Sequence, residues 1–155
     1  MRSFRRFAVF LALGFAFGGF LFYAGVVVPI GTGELGPTTQ GFVTRHVTKV
    51  MNIANLVAVA LLAADWVAER NGRSRSQNAL VSICGLAILT LTIVQIWLHP
   101  RLESQLDPEE IAVLNPQVFY GLHRIYLWLS TAIWLLSLPV GWVFANAQST
   151  GLKSR

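Results

Sequence analysis

Phe7-Ala8-Val9-Phe10-Leu11-Ala12-Leu13-Gly14-Phe15-Ala16-Phe17-Gly18-Gly19-Phe20-Leu21-Phe22-Tyr23-Ala24-Gly25-Val26-Val27-Val28-Pro29 contains no charged side chain. With Ile30 the apolar run is about 24 residues. A helix needs roughly 20 apolar residues to cross the hydrocarbon core of a bilayer. Arg2, Arg5 and Arg6 precede the run, so a secretory signal is the competing reading. The hydrophobic part of a signal is only about 7–15 residues and ends at a small-residue cleavage site. The length favours a retained spanning helix.

Three further apolar stretches follow, and the predicted helices cover about 7–29, 49–67, 79–98 and 119–144. The last is long enough to tilt or bend. Apolar residues make up 54% of the 155 and charged residues 12%, about half the charge content of a soluble domain. The expected fold is all-α, a single integral membrane domain over 1–155 built as a four-transmembrane-helix bundle. The net charge of +5 is scattered near helix ends. It forms no basic groove, which excludes nucleic acid as a partner. Cys84 is the sole cysteine, so no intrachain disulfide can form and its place in an apolar run suits packing.

Loop charges predict orientation. Arg2, Arg5, Arg6, Arg70, Arg73, Arg75, Lys153 and Arg155 fall on one side, and Arg45, Lys49 and Arg101 on the other, with Arg124 near a helix start. The positive-inside rule then puts both termini in the cytoplasm, in a bacterial inner (cytoplasmic) membrane. The longer connections, about 30–48 and 99–118, lie outside. Gly31, Gly33, Gly36 and Pro37 mark the first as turn-rich. Pro108-Glu109-Glu110 reads as the start of a short surface helix, with proline and acids in its first turn. Pro139 is expected to kink or end the last helix. Asp65, at the cytoplasmic end of the second helix, is expected to pair with Arg70 or Arg73 or to be solvated.

Gly14 and Gly18 are spaced for close helix approach, and Ala54, Ala58, Ala60 and Ala64 echo this on the second helix. They suit packing within one bundle or a homodimer face. Trp97 and Trp128 toward one boundary and Trp66 and Trp142 toward the other read as interfacial anchors.

All three histidines, His46, His99 and His123, fall at the predicted outer side. Residues three or four apart share a helix face. Arg45, Lys49 and Asn52 therefore align, with Asn55 near the same stripe. Gln95 aligns with His99, and Tyr120 with His123 and Leu127, with Ser130 and Thr131 deeper. Polar groups within a membrane usually face a bundle interior or a watery cavity, so the stripes define one candidate site: His123, His46, His99, Tyr120, Gln95, Asn52 and Arg124. The histidines suit either interfacial contacts with headgroups and water or ligation of a haem iron, a quinone carbonyl or a metal. The asparagines suit hydrogen bonds across helices equally well. No HExxH, CxxC or CxxCH occurs.

The stretches Gly19-Phe20-Leu21-Phe22-Tyr23, Val28-Pro29-Ile30-Gly31, Gln40-Gly41-Phe42-Val43-Thr44-Arg45-His46-Val47-Thr48 and Leu122-His123-Arg124-Ile125-Tyr126 resemble an uncharacterised family of bacterial four-helix integral membrane proteins. A looser likeness is to copper-resistance and protoporphyrinogen-oxidase-type membrane proteins. That likeness implies haem or metal chemistry at His46 or His123, although the first helix here holds no histidine.

Three functions follow as expectations. The first is a small accessory or structural subunit, in contact with membrane lipids and belonging to a homo-oligomer or a larger membrane complex. The second is a redox subunit binding haem b or quinone at the histidine cluster. The third is a small oligomeric transporter or lipid-binding protein.

Overall fold

The computed structural model describes residues 2–146. Lys153 and Arg155, counted in the charge asymmetry, lie outside the described residues. Four helical rods form an all-α bundle. The first rod is α1 (Arg2–Phe22), a wide π-helical turn (Tyr23–Val27) and α2 (Val28–Leu35). The second is α3 (Pro37–Glu69), followed by a 3-10 turn at Arg70–Gly72. The third is α4 (Arg75–Glu103) and the fourth α5 (Pro116–Asn146), with a two-stranded hairpin, β1 (Leu106–Asp107) and β2 (Ala112–Val113), between them. All four rods are long and apolar enough to cross a membrane. Large apolar side chains stand exposed along them, including Ile83, Leu86, Trp128 and Trp142 at 66–71%. Such continuous apolar exposure suits contact with lipid.

Where the sequence suggested a loop at about 30–48, the chain is helical except at Gly36. Pro37 stands in the first turn of α3, where its missing N–H costs nothing, whereas Pro29 lies inside a continuous helical rod. Gly36 alone breaks the rod, at φ 79° and ψ 158°, a conformation essentially reserved for glycine. Gly36→Ala is expected to cost about 1–3 kcal/mol, read as a lowered midpoint of thermal unfolding in detergent. Pro29 also accounts for the wide turn before it. Without an N–H it cannot bond the preceding turn, and Val28 N–H reaches back five residues to Tyr23 O.

One other expectation is corrected, and one of the two alternatives for Pro139 is removed. Pro108-Glu109-Glu110 starts no helix: it is the turn of the hairpin, which pairs Leu106 with Val113 and Asp107 with Ala112. Asp107 Oδ1 accepts the N–H groups of Glu109 and Glu110 at 2.9 and 3.2 Å. The same cap could begin a helix, but Ile111, at φ 51°, turns the chain back so that Ala112 and Val113 pair with β1. Pro139 does not end α5, which runs to Asn146. Its helical neighbours on either side hold the rod together.

The end of the bundle that carries the termini is packed solid. Val9, Leu13 and Ala16 of α1 meet Ala58 and Leu62 of α3, Val81 and Cys84 of α4, and Val140, Val143 and Phe144 of α5. Cys84 is buried there, as packing. Gly14 and Gly18 take no part, since a methyl group added to either would meet nothing within 4 Å. Small residues in that core are Ala16 of α1 and Ala58 of α3.

An ion-pair network closes this end. Asp65 is fully buried and accepts Arg5 Nε at 2.8 Å and Arg73 Nη2 at 2.6 Å. Glu69 accepts Arg5 Nη2 at 2.7 Å and Arg6 Nη2 at 3.5 Å. The guanidinium of Arg73 also lies over the Phe144 ring, 4.7 Å from its centre. The pairing of Asp65 with Arg73 matches one expected partner. Arg5, sixty residues away in sequence, supplies the other side.

Candidate functional site

Toward the hairpin end the rods separate around a cavity of about 490 Å³. The size is that of small-molecule sites, roughly 300–1,000 Å³. Every rod contributes to its wall: Phe17 and Phe20 from α1, Tyr23 from the wide turn, Thr44, Thr48, Asn52 and Asn55 from α3, Gln95 and His99 from α4, and Tyr120, His123, Tyr126 and Ser130 from α5. The hairpin adds Leu106 and Val113. The packed core lies at the other end, so the bundle is solid over one half and hollow over the other.

The wall is built from hydrogen bonds between rods. Tyr126 donates its hydroxyl to Asn52 Oδ1 at 2.9 Å, tying α5 to α3. Gln95 Nε2 donates to Ser130 Oγ at 2.6 Å and lies 3.4 Å from Tyr126 O, tying α4 to α5. His99 Nε2 lies 3.1 Å from Arg45 O and 3.3 Å from Thr48 Oγ1. Thr48 donates its own hydrogen to Arg45 O at 3.0 Å. Both neighbours of His99 Nε2 are therefore acceptors, which puts the proton on that nitrogen. His99 Nδ1 faces Glu103 Oε2 at 3.6 Å. At the top, Tyr23 donates to Thr44 Oγ1 at 3.0 Å and accepts from Gln40 Nε2 at 3.3 Å. This last contact depends on Gly31, because a Cβ there would collide with Gln40 Oε1. In Tyr126→Phe the buried Asn52 oxygen loses its donor, at an expected cost of about 1–3 kcal/mol, checked by thermal unfolding.

Five of the seven residues proposed from sequence line the cavity: His99, His123, Tyr120, Gln95 and Asn52. His46 and Arg124 do not. Both are exposed, and His46 Nε2 accepts from Arg45 Nε on the outside of α3 at 3.2 Å. Lys49, expected beside Asn52, is exposed as well. The helix is rotated so that the stripe Gln40, Thr44, Thr48, Asn52 and Asn55 faces inward, carrying His46 and Lys49 off that face. Gln40, Thr44 and Thr48 were not singled out from sequence. Their signal is the four-residue spacing that extends the Asn52–Asn55 stripe toward the helix start. Tyr23, half-buried on the wide turn, has no comparable sequence signal.

The three histidines thus do not converge. Among the described residues no three of His, Cys, Asp and Glu gather closely enough to hold a metal ion. His99 has Nε2 held between Arg45 O and Thr48 Oγ1, while Nδ1 lies 3.6 Å from Glu103 Oε2. His123 stacks on Phe119, 5.8 Å between ring centres, lines the cavity and makes no hydrogen bond to another described residue. A haem held between His46 and His123 does not fit, since they do not share the cavity.

The cavity has an open side. At the termini end α1 and α5 meet through the core, but α2 packs on α3 and makes no contact of comparable extent with α5. Ala24 on the first rod and Tyr120 and Leu127 on the fourth are exposed and also line the cavity. Exposed lining residues thus border the cavity between the first and last rods, and also at the start of α3, at Pro37 and Thr38. Compared with family models, curated proteins and solved structures, the chain gives no match.

Proposed function

We propose that the protein is an integral membrane protein that takes an amphipathic, lipid-like molecule into its hollow half. The observation that carries this reading is the cavity itself, apolar over most of its wall, with a few polar groups deep inside and exposed lining residues between the first and last rods. A purely structural or accessory subunit would be served by a bundle packed throughout, as the termini end is. In this reading the termini lie in the cytoplasm of a bacterial inner membrane, as the loop charges favour. The cavity then opens to the outer leaflet, and the ligand enters from the bilayer rather than from water.

The test is photolabelling in nanodiscs of phosphatidylethanolamine and phosphatidylglycerol, with a hexadecanol carrying a mid-chain diazirine. Labelled peptides should map to the cavity walls on α3, α4 and α5. Labelling confined to the exposed faces of the rods would contradict the reading.

A second reading, a haem- or quinone-binding redox subunit, rests on His123 in the cavity wall. A haem in the cavity would take a protein ligand first from His123, whose ring makes no hydrogen bond to another described residue. An absorption spectrum of protein purified from its native membrane decides this point. A Soret band lost in His123→Ala supports haem, and a colourless folded protein removes it.

A further inference from the structure

A second concavity lies on the outside of the bundle, apart from the hollow half. A shallow groove of about 280 Å³ runs between α1 and α3, lined by Ala12 and Phe15 on one side and by Val50, Ile53, Ala54 and Val57 on the other. All its lining side chains are apolar. Phe15, Val50, Ile53 and Val57 are exposed, so the groove is open to the bilayer. From Val50 to Val57 the helix descends about 10 Å, within the roughly 15 Å of hydrocarbon that one leaflet provides. An acyl chain fits such a surface, but so does any apolar partner. The groove alone does not choose.

The choice is made at its upper end. His46 and Val50, four residues apart, share a face of α3, as do Lys49 and Ile53. Helix side chains lean toward the N-terminus, which for α3 is the hairpin end. His46 and Lys49, both exposed, therefore lean away from the groove toward the headgroup layer. Arg45 joins them. Its Nε donates to His46 Nε2 at 3.2 Å, and its guanidinium lies 5.3 Å from the centre of the Phe42 ring. His99 Nε2, 3.1 Å from Arg45 O, sets Arg45 level with the end of α4. There the guanidinium of Arg101 covers the exposed Trp97 ring, 3.3 Å from its centre. Tryptophan at a helix end marks the membrane–water boundary.

Two positive charges thus stand over the groove without a counter-charge from the protein. Among the described residues no carboxylate lies within ion-pairing distance of Arg45 or Lys49. At the termini end, by contrast, Arg5, Arg6 and Arg73 all meet Asp65 or Glu69. A second copy of the chain docked symmetrically on this face would bring the same charges together at the same level, which disfavours it.

We infer that the groove seats one acyl chain of an anionic phospholipid from the leaflet at the hairpin end, with the phosphate drawn to Lys49 and Arg45. A zwitterionic lipid fits the groove equally well, but its own ammonium offsets the attraction. The site is open along one side, so its lipid exchanges with the bilayer and is held only while the membrane surrounds it.

The experiment is photolabelling in phosphatidylcholine nanodiscs with traces of phosphatidylglycerol or phosphatidylethanolamine, each carrying the same mid-chain diazirine. In the wild-type protein the phosphatidylglycerol probe should label residues 12–15 and 50–57 at least tenfold more than the phosphatidylethanolamine probe at equal mole fraction. In Lys49→Gln, an exposed position off the cavity wall, that ratio should fall about fivefold, the weight of one basic side chain at a membrane surface. Cavity labelling by the diazirine-hexadecanol should stay unchanged in the same variant. Equal labelling of the groove by the two lipids, or a ratio unmoved by Lys49→Gln, would overturn the selection of an anionic head. Label spread evenly over the exposed faces of all four rods would overturn the groove as a site.

Discussion

Asp65→Ala should lower stability by about 3–5 kcal/mol, the usual consequence of removing one member of a buried ion pair. Asp65 is fully buried, and the Arg73 side chain beside it is 4% exposed. Without the carboxylate the Arg73 charge remains in an apolar surround, held only by the Phe144 ring. Arg5 suffers less because its side chain is 26% exposed and can turn to solvent. The pairing also ties α1 to α3 and to the chain beyond the 3-10 turn, so the variant should lose the packing of the termini end as a unit. Thermal unfolding in detergent reads the effect. Asp65→Ala combined with Arg73→Met should recover part of the loss, since the stranded charge is gone. If the double variant is as unstable as the single one, the penalty comes from shape and not from charge.

Ala24→Trp should close the cavity without disturbing the core. Ala24 is exposed at the cavity border between the first and last rods, with Tyr120 and Leu127. An indole there adds bulk at the opening, and tryptophan is well tolerated where a helix meets lipid. The core residues Val9, Leu13 and Ala16 lie two or more turns away on the same rod. Cavity labelling by the diazirine-hexadecanol should fall at least tenfold, while the unfolding midpoint stays within about 2 °C, as for surface changes that touch no core contact. Undiminished labelling would mean that the ligand enters by another route.

The four rods were legible because each holds a run of about 20 apolar residues, and length alone decides such segments. Their ends were not. Gly31, Gly33, Gly36 and Pro37 are turn residues by type, yet only Gly36 has a backbone that needs glycine. Gly31 is needed for the close approach of Gln40, which depends on a neighbouring helix and is invisible locally. The hairpin was misread because proline followed by acids suits a helix start and an Asx-type turn equally well.

The site was legible as a set of stripes and not as a rotation. Spacing tells which residues of α3 share a face, but not which face looks inward. His46 and Asn52 stood as equal candidates, and only Asn52 lines the cavity. Asp65 with Arg73 could be read across one turn of chain. Its bond to Arg5 depends on α1 packing against α3, and no local pattern announces that contact. The contact of Gln95 with Ser130 lies further still from the sequence, because it follows from where α4 meets α5.

The most direct test of the central claim is native mass spectrometry of the protein released from its own membrane. The account predicts a single bound small molecule at one per chain, lost in Ala24→Trp. A wild-type protein that flies without an adduct, or an adduct retained equally by Ala24→Trp, would contradict it.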